Sequence, residues 1–550
     1  MRLHSTGESV LQRRASWLNT TYTAIRDFIT VPNLVGLLGC GVLLLLFLVP
    51  PLPWNIRLPL YLMVLVWTIL RPRVALYLLP FCVPWGSLDY IDVSALRLDS
   101  ADILTVFLAL GWLINCALPA YTGLRDREAA RIPWYLVLTM FALVGTMVLS
   151  MTVAISVKSS LKEISKWLEV LAIVLLGSQY LRTRRQIWMI IVLVCLAGIT
   201  QAIFGYLQAF FNLGPQSFIR GAALRVYGTF DQPNPYAAYI NLPLSVALAL
   251  TLLGRNWLTR MLAGITSIML ASAEYLSQSR GGEIALAAAL FFIVLAGMPR
   301  IRVLMRVLII GIFGFVEAAL LGWIPLSLFD PALKFLGLVQ ISLVEPSIQD
   351  FSTAERLAHW IAGLHMYFDH PILGVGIGNY PDAYPPYQIT IFADPLGHAH
   401  NYYINIAAEM GTIGLIAYLL FLLAIFVAGG SALRGISKKR RLALAQRSEQ
   451  PVPIPAPAGR RDKLALLLRP SRMASHFRQP QSIEIPGMLT NDRALAIGLM
   501  AALITVSVHN FVDDVYVHSL TNLIALLLIA LIRLERVTPE VLEQRHWRII

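Results

Sequence analysis

The sequence predicts an all-α, polytopic helical membrane protein with about 12–14 transmembrane helices and a partly helical external loop. Three observations predict it. Of the 550 residues, 57% are hydrophobic and only 14% charged, against about 25% charged in an average soluble domain, and mean hydropathy is +0.67. Apolar runs of about 17–25 residues recur along the chain, the length that crosses ~30 Å of hydrocarbon as helix. The basic residues gather in alternate connections between those runs, as membrane topology requires.

Residues 1–31 are a polar, arginine-bearing segment, expected to be cytoplasmic and not a cleaved signal, because the first apolar run starts only at Pro32. A transmembrane bundle is expected over 32–323, with spans near 32–50, 58–71, 73–86, 102–118, 133–154, 164–181, 187–211, 235–253, 257–276, 282–298 and 303–323. The second and third are short and share Arg71-Pro72-Arg73, so they read equally as one broken hairpin. An external loop follows at 324–403, a transmembrane helix at 404–430, a basic inner loop at 431–493, two more spans within 494–534, and a tail at 535–550. With the N-terminus inside, about 34 of the 44 Lys and Arg residues fall on the inner side, which also makes the C-terminal tail cytoplasmic. The net charge of +13 is therefore explained by topology. No nucleic-acid-reading module accompanies it, so nucleic acid is not an expected partner; the lipid bilayer is. Cys40, Cys82, Cys116 and Cys195 all lie in apolar runs without C-x-x-C spacing and read as packing residues.

The two long loops differ in kind. The inner one carries Lys438-Lys439-Arg440-Arg441 and a PVPIPAPAG stretch, a composition expected to be disordered. The external one is rich in aromatics and glycines and is expected to fold. There Ser352-Thr353-Ala354-Glu355 has capping-box spacing, and Leu357, Ile361, Leu364 and Phe368 recur at helical intervals up to His370-Pro371. This predicts a helix of about 15 residues lying along the outer membrane surface, too short to span. Arg356 stands in its first turn, where the helix dipole favours anions; an anion held between the guanidinium and the free N–H groups is one reason, an exposed arginine paired with Glu355 or lipid phosphate the other.

Water, charge and nucleophiles meet in Gly374–Gly414, closed by His398-Ala399-His400-Asn401. The few other outward charges are Arg280 in SQSRGG, where Gly281-Gly282 permit close backbone approach, Arg225 in ALRVYGTFDQPNPYAAY with Asp231 and Asn234 nearby, and His509, Asp513 and Asp514 between the last two spans. Any one of them reads as a snorkelling residue; together they fall on the side that faces His398 and His400. The Gly374-x-Gly376-x-Gly378 run follows a helix end, lacks the strand of a dinucleotide fingerprint, and reads as a tight turn. A zinc site at His398 and His400 finds no third ligand at a motif spacing, so no metal is expected.

The stretch STAERLAHWIAGLHMYFDHPILGVGIGNY, followed by HAHNYYINIAAEMGTIGLIAYL, resembles the signature of the O-antigen ligase/polymerase superfamily (the Wzy-C region). That signature pairs an Arg on a surface helix with Pro-x-x-Gly-x-Gly, then His-Asn opening a span with Glu and Gly-x-x-Gly; here these are Arg356, Pro371 to Gly376, His400-Asn401, Glu409 and Gly411 to Gly414. RVYGTFDQPNPYAAY and SQSRGG are similar to two upstream motifs and VHNFVDDVYVHSL to a C-terminal one, so the resemblance spans roughly 200–530.

The resemblance implies a membrane glycosyltransferase of polysaccharide or lipopolysaccharide biosynthesis in the cell envelope. Such an enzyme moves a glycan from a polyprenyl (undecaprenyl) diphosphate carrier to a glycan, lipid or protein acceptor hydroxyl at the outer face of the cytoplasmic membrane. It assigns the general base to His400 and the diphosphate clamp to Arg280 and Arg356, with Arg225 a further contact. His398, Asn401, Glu409, His509 and Asp513 are secondary candidates. Two guanidiniums suit a diphosphate leaving group, and a histidine suits one proton transfer near neutral pH, so a metal- and cofactor-independent transfer is expected. A multi-pass small-anion (bicarbonate-type) transporter is the alternative. A carrier, however, needs polar groups near the membrane midplane, whereas these stand at the outer ends of spans.

Overall fold

The structure, a computed structural model, describes residues 53–117, 132–298, 342–346, 351–449 and 484–537, except 89, 94–95, 221–222 and 390, together with scattered positions between 301 and 325. The expected span at 32–50, the middle of the inner loop and most of the tail lie outside the described residues. The chain divides into one unit of Met1–Val66 and another of Trp67–Ile550; the site lies in the second.

The described elements are helical apart from two short antiparallel pairs. Helices α1 (Trp54–Leu70) and α2 (Arg73–Trp85) precede the pair β1–β2 (Tyr90–Val93, Leu96–Asp99). Then come α3 (Ser100–Ala117), α4 (Trp134–Ser150), α5 (Val157–Tyr180), α6 (Arg184–Phe211), and the pair β3–β4 (Ile219–Arg220, Ala223–Leu224). Helices α7 (Pro233–Leu253), α8 (Trp257–Ser277), α9 (Arg280–Gly297), α10 (Phe351–Asp369), α11 (Tyr380–Ala383), α12 (Tyr402–Glu449), α13 (Glu484–His509) and α14 (Leu520–Val537) complete it. Among the described residues, seven helices are long and apolar enough to cross a membrane: α3, α4, α6, α7, α9, α12 and α13. The chain is a multi-pass membrane protein. Helices α1 and α2 are apolar but short, and their separation at Arg71-Pro72 matches the broken pair read from the sequence.

Local chemistry sets the helix ends. Thr183 and Gln186 close a full capping box on α6, and the Ser279 hydroxyl accepts from Gly282 N at the start of α9. Helices α7 and α13 form the centre, packed on each other and each against α9, while α12 covers α13 and α4. Helix α14 is buried on every side from Leu520 to Ile532, as an apolar helix without a polar face must be.

Residues 351–403 are folded. Helix α10 packs its small-residue face, Ala354, Ala358, Ala362 and Met366, toward the protein, joining Val375, Tyr380, Tyr384, Ala399 and Ala408 in its own cores. Along the expected stripe, Leu364 and Phe368 are exposed while Leu357 and Ile361 are half-buried, so the C-terminal part of that face is left uncovered by the protein. The helix also starts at Phe351, so Ser352 sits in its first turn and is not the cap; its carbonyl accepts from Arg356 instead. The glycine run is a tight turn: Gly374, Gly376 and Gly378 have φ of 67°, 102° and 73°. A side chain at Gly374 would strike the Glu409 backbone, which the turn overlies.

The inner loop begins later than expected. Helix α12, broken only at Gly411, continues past 430 to Glu449, so the Lys438–Arg441 run rides on helix and not in a loop. Lys and Arg are good helix formers, and the span's last turns simply propagate into them.

Candidate active site

His400 sits in the tight connection before α12 with φ of 52°, a left-handed conformation uncommon outside glycine. Four contacts hold it there. Its carbonyl accepts from Trp360 Nε1 at 3.0 Å, and its N–H donates to His398 Nδ1 at 3.1 Å. Ala399 N donates to Asn405 Oδ1 at 3.0 Å, and the His400 ring meets Asp513 Oδ1 through Nδ1 at 3.0 Å. Strain of this kind survives only where the surroundings over-determine it.

Asp513 lies in the connection between α13 and α14 and is almost wholly buried. Its Oδ1 also accepts from Asp514 N at 2.9 Å and its Oδ2 from Asn234 Nδ2 at 2.6 Å. Burial works against its charge, but the hydrogen bond from His400 and the positive fields of His400, His398 and Arg356 prevail and hold the carboxyl well below the usual carboxylate range. An ionised carboxylate only accepts hydrogen bonds, so His400 Nδ1 carries a proton, and in the neutral ring Nε2 is the nitrogen that holds the lone pair. That Nε2 is buried and has no hydrogen-bond partner. Around it, burial pushes His398 and His359 down to about 4, and any proton on His400 would disfavour their charging further, so both are neutral near pH 7. His359 packs against Tyr384 at 4.7 Å and lies edge-on to His400 at 5.7 Å.

Beside this histidine cluster lies a cavity of about 250 Å³ whose wall includes Asp513, Asn234, Trp360 and His509 together with Arg225, Arg280 and Arg356. The three arginines come from the segment before α7, the first residue of α9 and the second turn of α10. Arg225 donates through Nε to Ser277 O at 3.1 Å. Arg280 is exposed, and Arg356 has only a 3.5 Å bond to Ser352 O, its buried Nε having no partner. Among the described residues no carboxylate ion-pairs with Arg280 or Arg356. His509 is buried with both ring nitrogens unpartnered. It can approach α9 because Gly281 has no side chain: a Cβ there would lie 2.9 Å from His509 Nε2.

The fold thus brings His400, Asp513, His509 and the three arginines to one place. Asn401 and Glu409 it puts to other use. Asn401 Oδ1 caps α12 by accepting from Tyr403 N and Ile404 N, and its Nδ2 donates to Phe511 O. Buried Glu409 accepts from Tyr380 N and pins the glycine turn. Trp360 and Ser279 went unread as site residues, and Asn234 read only as a neighbour of Arg225; a tryptophan on an apolar stripe and a serine cap carry no signal of what they will face. The third partner missing from the histidine spacing is supplied by tertiary structure, since His398, His400 and Asp513 present ligand atoms within 4.8 Å of one another. Hydrogen bonds within the protein account for the close approach of His400 and Asp513, whose carboxylate also accepts from Asn234 and Asp514.

No curated protein matches the chain. Residues 265–419, a stretch that takes in Arg280, Arg356 and His400 and leaves out Arg225, His509 and Asp513, match the family model described as O-antigen ligase (Wzy_C). The multi-pass membrane chain thus carries, over residues 265–419, a domain similar to the O-antigen ligase family, a glycosyltransferase-type enzyme family.

Proposed function

We propose that the protein transfers a glycan from a polyprenyl-diphosphate carrier to an acceptor hydroxyl at the outer face of the cytoplasmic membrane, with His400 as general base. The observation that carries this reading is the His400–Asp513 hydrogen bond, which fixes a proton on Nδ1 and makes the unpartnered Nε2 the basic nitrogen of the neutral ring, beside a cavity whose Arg280 and Arg356 ion-pair with no carboxylate among the described residues. The acceptor O–H gives its proton to Nε2 while its oxygen attacks the anomeric carbon from the face opposite the phosphate. The C–O bond to the diphosphate breaks, and the electron pair leaves on the polyprenyl diphosphate. Arg280 and Arg356 bind that developing charge, each through two N–H groups, and His509 donates a further hydrogen bond. Arg225, already bonded to backbone carbonyls, shapes the cavity wall and adds to its positive field. The attack opposite the leaving group inverts the anomeric centre.

Nε2 is covered in this conformation, so the acceptor reaches it through a side-chain shift. Trp360, which lines the cavity and holds the His400 carbonyl, is placed to make it. The uncovered Leu364–Phe368 face of α10 lies on the bilayer surface and keeps the cavity at the level of the lipid-borne donor. The similarity of residues 265–419 to a glycosyltransferase-type family favours this reading over a transporter. His400→Ala in the native host tests the proposal by the surface glycan profile on a gel. Single units without long chains would mark a polymerase, accumulated carrier-linked polymer a ligase, and an unchanged profile would overturn both. Transfer is expected to survive chelation; activity lost to chelator and restored by a divalent metal would convert His398, His400 and Asp513 into a metal site.

A further inference from the structure

A hydrogen-bonded chain links the cation that faces the donor to the carboxylate that faces the base. Ser279 caps α9 one residue before Arg280, and its hydroxyl donates to Asn234 Oδ1 at 3.0 Å. Asn234 Nδ2 donates to Asp513 Oδ2 at 2.6 Å, and Asp513 Oδ1 holds His400 Nδ1 at 3.0 Å. The direction follows from chemistry: an ionised carboxylate cannot donate, so the amide turns its nitrogen to Asp513 and its oxygen to Ser279. Asn234 is held rigidly for this. It lies between Pro233 and Pro235 in the first turn of α7, after a turn in which Asp231 has φ of 58°.

We propose that Asn234 is a positioning residue for the transfer, fixing the Asp513 carboxylate that orients His400 and tying it to the helix end that carries Arg280. This rests on the reading of His400 as the base. Without Asn234 one carboxylate oxygen loses its side-chain donor, and the group can turn about its Cβ–Cγ bond. The His400 ring then loses its fixed acceptor. A carboxylate with one donor fewer also holds the Nδ1 proton more strongly, which raises the proton affinity of the ring. The charged and titratable groups facing His400 are Asp513 and Asp514 from the α13–α14 connection, Glu355, Arg356 and His359 from α10, and His398 from its own loop. Of these, Asp513 is the one that Asn234 touches.

The test uses full-length solubilised enzyme with polyprenyl-diphosphate-linked glycan extracted from the host as donor. Asn234→Ala is expected to lower kcat about 10- to 100-fold, leave the donor KM within about threefold, and move the acid limb of the kcat profile to higher pH. Placed on Asp513→Asn, the same change should cost less than about threefold more, because the chain is already cut. Full multiplication of the two losses would overturn the proposal. So would a raised donor KM with an unmoved pH limb, which would make Asn234 a wall of the cavity. Should Asn234→Ala not fold, Ser279→Ala cuts the same chain one bond earlier, and an unmoved acid limb there counts equally against it. Undiminished transfer by His400→Ala would instead remove the base itself, whatever Asn234 does.

Discussion

The two ends of the helix bundle treat charge in opposite ways. Where α6 and α13 begin, Asp492 is wholly buried and accepts from Arg184 Nε at 2.8 Å and from Trp188 Nε1 at 2.9 Å, with Arg184 Nη2 at 2.7 Å. Nearby cations meet helix-end backbone carbonyls: Arg493 donates to Ala296 O, Lys439 to Glu535 O and Arg533 to Leu181 O. Where α13 ends, Arg280 and Arg356 ion-pair with no carboxylate among the described residues, and buried His509 has no partner for either nitrogen. A folded protein satisfies its buried polar groups unless they serve something else. One end pairs its charges, then, and the other is where the proposed diphosphate clamp lies.

The largest effect expected from breaking this contrast is at His400. Alanine there should reduce transfer about a thousandfold or more with the protein still folded, measured as product formed by solubilised enzyme. Next comes the cavity. Arg356→Ala or Arg280→Ala should lower kcat/KM about 10²- to 10³-fold, and lysine should restore only part of it, because a single ammonium does not reproduce a planar two-N–H grip. Equal activity with lysine would mean that charge alone matters there.

At the charge-paired end the sign of the experiment reverses. Asp492→Ala leaves a partly buried guanidinium without its anion and should cost about 2 kcal/mol of stability, after allowing for the solvent that reaches Arg184, while the rate per folded molecule stays unchanged. Thermal unfolding in detergent, read beside the transfer rate, checks it; a fall in rate at full stability would join the two ends functionally. The smallest effect concerns acid. His359 and His398 bind protons more readily in the unfolded chain than in the fold, where burial pushes both down to about 4. Stability should therefore decline as pH falls from 6.5 toward 4, and His359→Gln should remove part of that decline.

Much of the site could be read from residue order because membrane composition makes outward charge rare. In a chain with 14% charged residues, Arg225, Arg280, Arg356, His509 and Asp513 stand out against apolar spans, and alternation of spans puts them on one side. Two features were less legible. The stripe Leu357–Phe368 reads as an apolar face, but which face of α10 packs on the protein does not show in it; the alanine face packs inside because it permits close approach. Asn401 and Glu409 stand beside the site in sequence, yet a polar group at a span's end serves equally to cap a helix or to tie down a turn, and the motif does not distinguish these uses.

By itself the sequence determined the helical membrane class, the helix at 351–369, the glycine turn, and which charged residues were available for chemistry. Those follow from composition, periodicity and spacing, which are local. Only the tertiary structure decided that Asp513 meets His400 across 113 residues, that Asn234 and Ser279 join them, and that Trp360 faces the cavity. Such pairings depend on how α7, α9, α10 and α13 pack together, and helix packing brings together side chains whose separation along the chain carries no trace of the contact.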